Sequence, residues 1–254
     1  MAALHRFLDF VSWKLFAVYH YWCRYRLFRA LPGIDREIAD YSTKSNTTGT
    51  KFPTLWRAVR IILSEKPTHI LECGTGLSTI VLTAAVKKLK SRDPAYDGHI
   101  TSMESVEEWF DIATKNLPDK YSDVVDIVLG PREKYEFLFF RGYRHSNIPP
   151  KDYDFVFLDG PSYNDEYGSA FCADVFHVIE TSSAPVVRGV IDTRVSSVYV
   201  LQKVFGTSAV RYFPFARTSD FRVKPMPFRV NLTSRKFRAN LLGGLSLWLK
   251  SPLG

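Results

Sequence analysis

Apolar and polar positions along this chain recur on two periods, and the switches between them mark its elements. In the run FPTLWRAVRIILSEKP, Leu55, Val59, Ile62 and Leu63 return at helical spacing and Pro67 ends the pattern. Short apolar runs then alternate with helical stretches. The pattern predicts a strand over 69–73 and a helix over 78–89, a strand over 99–104 and a helix over 106–116, and a strand over 124–129 with a helix over 133–140. A strand over 154–158 precedes a helix over 167–181, and a strand over 186–191 precedes a helix over 195–205. Such alternation predicts an α/β fold, a doubly wound, mostly parallel sheet covered on both faces. Beyond it, 209–215 and 228–233 read as strands of a closing antiparallel β-hairpin with a long connection over 216–227. In a sheet of this kind ligand lies beyond the strands' carboxyl ends, near the point where strand order reverses.

The ends differ from this core and suggest three parts: a basic aromatic helical extension and linker over 1–51, the α/β domain over 52–236, and an apolar tail over 237–254 with a Gly243-Gly244 break. Residues 1–31 mix Phe7, Phe10, Trp13, Phe16, Tyr19, Tyr21, Trp22 and Phe28 with Arg6, Lys14, Arg24, Arg26 and Arg29. The longest uncharged run there, 15–23, is far shorter than the roughly 20 residues that span a bilayer. Two readings remain: a helix packed on the domain, over its active site or at a dimer seam, or an amphipathic helix lying on an anionic membrane surface. A break at Pro32-Gly33 and the polar stretch 42–50 predict a linker, mobile loop or lid. The tail packs on the domain or a second subunit, or joins the N-terminal segment in a membrane-facing patch.

Composition narrows the class. With 254 residues, 46% hydrophobic and 24% charged, the chain suits one globular domain with additions. Its three cysteines form no C-x-x-C pair, which argues against a disulfide framework or zinc site and for a reducing compartment, the cytoplasm or the inner face of a membrane. The sequons at Asn46 and Asn231 read as chance matches, since no signal peptide precedes them. Net charge is +8, and 211–250 carries nine Lys/Arg against the single acid Asp220. That region is either a solvated face or a grip on an anionic acceptor by Arg217, Arg222 and Lys224, with Arg188 and Arg194 nearby. A nucleic-acid partner is the rival explanation, but no RNA-binding module is recognisable.

The chemistry concentrates at HILECGTGLST, residues 69–79, where an apolar strand runs through Glu72 into Gly74-Thr75-Gly76 and a helix. Glycines there let backbone approach a ligand, and the helix N-terminus faces the same spot. The dinucleotide fingerprint requires a third glycine where this chain has Thr79, and Glu72 would repel a diphosphate while suiting a cationic ligand. The E-x-G-x-G pattern resembles motif I of the class I S-adenosylmethionine-dependent methyltransferases, and residues 67–206 follow the order of that superfamily.

The resemblance implies a cofactor site of Glu72, Gly74, Thr75, Gly76 and Ser78, with Glu104 and Ser105 at the ribose, Gly130 at the adenine and Asp159 on the rim. Leu158-Asp159-Gly160 and the acid Asp192 are most similar to catechol-type and related small-molecule or sugar O-methyltransferases. By that likeness Asp159 and Asp192 hold a divalent, Mg²⁺-type metal. Two departures stand against it: Thr193 replaces the expected Asn, and no lysine closely follows Asp159. Without metal, Asp159 or Asp192 is the general base, with His145 and His177 as alternatives. Tyr163, Arg194, Arg217 and Arg222 are the candidate acceptor contacts. The absence of an NPPY-type pocket favours oxygen as acceptor, on a small molecule or sugar; a nucleic-acid methyltransferase, or a non-catalytic binding protein on the same fold, is the alternative.

Overall fold

Three short apolar strands, β1 (His69–Cys73), β6 (Phe155–Leu158) and β10 (Val187–Ile191), form the centre of the sheet because residues on both of their faces are buried. In the computed structural model, which describes residues 2–45, 51–138, 140–161, 164–165 and 168–226, they are flanked by β2 (His99–Glu104), β3 (Val125–Leu129), β11 (Val210–Phe213) and β12 (Thr218–Val223) in the order β11-β12-β10-β6-β1-β2-β3. All pairs are parallel except β10 with β12 and β12 with β11. This is the doubly wound sheet that the sequence predicts, closed by an antiparallel hairpin whose second strand, β12, lies earlier in the chain than expected. Strand order reverses between β1 and β6.

The two-residue period of the strands divides the core. Ile70, Phe155, Phe157 and Val190 pack with α1 (Ala2–Ala30), α2 (Ile34–Lys44), α3 (Phe52–Glu65) and α4 (Leu77–Arg92) on one face. Leu71, Cys73, Val156, Leu158 and Ile191 pack with α6 (Asp174–Thr181) and α7 (Val195–Phe205) on the other. The remaining helix, α5 (Glu107–Asn116), connects β2 to β3. Cys23 and Leu27 of α1 and Ile34 and Tyr41 of α2 are buried in the same cluster as Leu55, Val59 and Ile62 of α3, so these helices are built onto the core.

Four expectations are corrected. The predicted helix 133–140 is a hairpin of β4 (Arg132–Phe137) and β5 (Phe140–His145); burial along β4 follows a period near two, and its aromatic rings pack toward α6. The predicted helix 167–181 begins only at Asp174, because β7 (Asn164–Asp165), β8 (Gly168–Ser169) and β9 (Phe171–Cys172) precede it, and β9 pairs with β5. The supposed long connection 216–227 contains β12, entered by a tight turn in which Arg217 has φ 48°. Residues 42–44 of the supposed linker belong to α2. The predicted strand 228–233, both sequons and the tail 237–254 lie outside the described residues.

Candidate functional site

Register aligns the strand ends. Cys73 sits opposite both Met103 and Leu158, and Leu158 opposite Ile191. The next residue on each strand therefore falls in one row along the rim: Glu104, Gly74, Asp159 and Asp192. Backbone bonds continue the ladder into that row, from Gly74 N–H to the Met103 carbonyl (2.8 Å), Asp159 N–H to that of Cys73 (2.9 Å) and Asp192 N–H to that of Leu158 (3.1 Å). Gly74 and Gly76 have φ of 96° and 150°, a region that side chains disfavour, which explains glycine at both positions.

Glu72, two residues before Gly74 on the same strand, turns to the α4 face and is fully buried. Its Oε2 accepts from the hydroxyls of Thr79 (2.7 Å) and Ser102 (2.5 Å). Thr79, which broke the dinucleotide fingerprint, also accepts from Gly76 N–H (3.0 Å), so it ties the glycine turn to the acid. Oε1 is buried without a well-formed hydrogen bond, and the Ser78 hydroxyl is the carboxyl's remaining polar neighbour. Burial pushes Glu72 up to about 7 against the pull of these hydroxyls. A buried carboxyl with an unfilled oxygen favours a cationic or hydrogen-bond-donating ligand.

Glu104 is also buried and braces the loops. Oε2 accepts from the N–H (3.2 Å) and hydroxyl (3.0 Å) of Thr75, and Oε1 from the N–H groups of Ser105 (2.7 Å) and Val106 (3.0 Å). At Gly130 a side chain would meet the Ser146 carbonyl at 2.4 Å and the Met103 methyl at 2.6 Å, so packing within the protein is enough to account for glycine there.

The carboxyls of Asp159 and Asp192 stand at neighbouring strand ends, close enough for the charge of one to act on the other. Burial, then the neighbouring charge of Asp159, push Asp192 well above the usual carboxylate range, while Arg194 opposes the shift. Arg194 Nε lies 3.0 Å from Asp192 Oδ1, and its Nη groups donate to the carbonyls of Pro161 (2.7 Å) and Asp159. Arg194 thus clasps two strand-end loops. A divalent metal fits this pair poorly. Arg194 already sits as the cation beside it, and the only cluster of three candidate ligands among the described residues is Cys73, Cys172 and Asp174. In that cluster the thiols are free and pushed up by burial, and the Cys172 thiol donates to the Gly160 carbonyl (3.1 Å).

Two residues that carry no sequence motif, Lys51 and Tyr41, are near enough to the rim to feel its charges, and Arg217, an expected acceptor contact, acts on Lys51. Lys51, at the start of α3, is held below the usual lysine range by burial and by the charge of Arg217, while the charges of Asp192 and Asp159 oppose the shift. Arg217 lies over the Phe16 ring at 5.2 Å. Buried Tyr41, on α2, has its phenol pushed up by burial, and the charges of Glu72 and Glu104 add to the shift.

Other predicted residues fall elsewhere. Arg188 and Arg222 face each other across β10 and β12 at the opposite end of the sheet, and both pair with Glu65, so neither reaches the rim. His145 is fixed in the core, with Nδ1 2.8 Å from Asp174 Oδ2. His177 is half-buried on α6 and has Arg144, Asp174, Glu180 and Glu133 as charged neighbours, none of them on the rim. Tyr163 lies outside the described residues.

No protein-family model matches the sequence, and no curated protein matches it. Solved structures do. A methyltransferase-like protein from Silicibacter pomeroyi is similar at 15% identity over 82% of this chain and 97% of its own, with a TM-score of 0.45. An SAH-bound methyltransferase from Podospora anserina is similar at 17% identity over 69% and 66%, with a TM-score of 0.44. Human methyltransferase-like protein 13 in complex with SAH is similar at 15% identity over 79% and 90%, with a TM-score of 0.36. By its own strand order and closing hairpin, this chain has a doubly wound, Rossmann-like fold.

Proposed function

We propose that this chain is an S-adenosylmethionine-dependent methyltransferase acting on a hydroxyl oxygen of a small molecule or sugar. The observation that supports it is the rim row, with Glu104, Gly74, Asp159 and Asp192 side by side where strand order reverses and buried Glu72 two residues behind Gly74. Bound there, the cofactor supplies a methyl group on a sulfonium, a leaving group already activated by its charge. Glu72, with its unfilled oxygen, faces the cationic end. Thr75, held by Glu104, shapes the turn around the ribose.

An alcohol is a poor nucleophile while protonated, so the acceptor needs a base. The Asp159–Asp192 pair supplies one: burial holds the Asp192 carboxyl toward its protonated form, and Asp159 beside it is the member that takes the acceptor's proton. Arg194 keeps the pair together, and Lys51 and Arg217 favour an acceptor with an anionic group. Holding oxygen and methyl about 3 to 3.5 Å apart supplies much of the acceleration. Titration calorimetry with S-adenosylmethionine tests the reading. Binding that Gly74→Val abolishes is expected; no binding, or binding indifferent to Gly74→Val, overturns it. Tritium transfer from labelled cofactor into fractionated cell extract then identifies the acceptor class.

A further inference from the structure

Away from the rim, α1 presents a second surface. Val18, Tyr21, Trp22 and Tyr25 recur at one helical face and are 70%, 67%, 45% and 56% exposed, while Cys23 and Leu27 on the other face are buried. The core therefore does not need these rings. Arginines stand among them, each over an aromatic face: Arg24 over Phe28 (5.2 Å), Arg26 over Trp22 (5.4 Å) and Arg29 over Tyr25 (5.7 Å). The sequence has no acid between Asp9 and Asp35, so the stripe carries no counter-charge of its own.

Trp22 also walls a cleft of about 460 Å³ with Trp56, Phe213, Arg57, Arg60 and Arg211. Asp220 neutralises part of this charge by pairing with Arg57 and Arg211. Arg60 is exposed and has no ion pair among the described residues. The surface thus combines amphipathic rings, which favour the headgroup level of a bilayer, with a cationic cleft large enough for a phosphate headgroup. No helix among the described residues is long and apolar enough to cross a membrane.

We propose that the exposed face of α1 and the adjoining arginine cleft dock this protein on an anionic phospholipid bilayer. Charge complementarity selects the occupant: a neutral bilayer or an apolar protein groove would use the rings and leave the arginines idle. The inference uses none of the rim residues and stands apart from the methyl-transfer reading.

The test is co-sedimentation of the full chain with vesicles of phosphatidylcholine alone or mixed with phosphatidylglycerol. Binding to the mixed vesicles only, weakened by salt, is expected. Tyr21→Ser with Tyr25→Ser, and separately Arg60→Glu, are each expected to weaken it about tenfold or more while the unfolding midpoint stays at the parent value. Equal binding to both vesicle types, no binding, or binding unaffected by either variant overturns the proposal. So does displacement from vesicles by a single-stranded RNA that binds more tightly, which would assign the face to nucleic acid. Cofactor calorimetry on the same samples reads the methyl-transfer proposal separately.

Discussion

Gly74 and Gly160 meet backbone to backbone at the switch point of the sheet. A side chain built on Gly74 would stand 2.8 Å from the Gly160 nitrogen, and one on Gly160 only 2.6 Å from the Gly74 Cα. Neither contact can yield by rotating a side chain, because both partners are main chain. Gly160→Ala is expected to destabilise by about 1 to 3 kcal/mol through overpacking. Gly74→Ala should cost more, since its φ of 96° adds backbone strain. Urea denaturation measures both; midpoints equal to the parent's would show that the loops are not in contact.

The rim acids should divide between chemistry and binding. Asp159→Asn removes a member of the proton-accepting pair and is expected to lower kcat by about 100-fold or more, with little change in cofactor affinity. Glu104→Ala frees Thr75 and should weaken cofactor binding about tenfold, with kcat at saturation within a few-fold of the parent. Steady-state kinetics with calorimetry separate the two. Equal losses in both quantities for both variants would refute this division.

The parts of this site legible in the sequence are those carried by strands buried on both faces. Four apolar residues before Asp159 fix a strand, and parallel register then fixes what stands beside its end, so the acids of the row follow from local pattern and fold class. The hairpin over β4 and β5 was not legible. Its aromatic and charged residues satisfy helical and strand periods alike over so short a run, and pairing with β9 decides between them. Arg222 misled because a basic run does not reveal which end of a strand meets the cleft. Lys51 and Tyr41 are brought within range of the rim charges by where α2 and α3 pack, which no local motif encodes.

Glu72 makes stability depend on pH. Its ordinary value of 4.5 rises to about 7 in the folded chain, so between these pH values the folded state holds more of the proton than the unfolded state does. Stability from this residue is full below about pH 4.5, declines as pH rises, and is lost above about pH 7, a total of up to about 3 kcal/mol. Glu72→Gln should therefore unfold at higher denaturant than the parent at pH 8 and lose that advantage near pH 4.5. Because a bound cation favours the charged carboxylate, cofactor binding near pH 6 should release a proton, and Gln should abolish the release. Calorimetry in buffers of different ionisation enthalpy reads it; an unchanged release in Glu72→Gln would assign the proton to another group.

Arg222 marks the limit of the basic region's role at the rim. It is exposed, pairs with Glu65 at 3.3 Å and lies opposite Arg188 at the far end of the sheet. Arg222→Ala is expected to cost less than about 1 kcal/mol. Its kinetic constants should stay within twofold of the parent's, an estimate of about 0.4 kcal/mol in the barrier. A large rise in acceptor KM would return this residue to the acceptor site.

Asp220 holds two arginines of unequal burial, and the asymmetry can be measured. Arg57 Nη1 lies 2.7 Å from Asp220 Oδ2, both side chains are at least nine-tenths buried, and the guanidinium stacks 3.6 Å from the Phe213 ring centre. Arg211 bonds both oxygens of the same carboxylate, at 2.9 and 3.1 Å, but its side chain is about half exposed. Asp220→Ala strands Arg57 as an unpaired charge in the core and is expected to destabilise by about 3 to 5 kcal/mol. Arg211→Ala leaves Asp220 paired with Arg57, and water screens what is lost, so its cost should stay near or below about 1 kcal/mol. Chemical denaturation of the two variants checks the contrast. Similar costs would mean that water reaches Arg57 in the folded protein and that the pair is not a buried one.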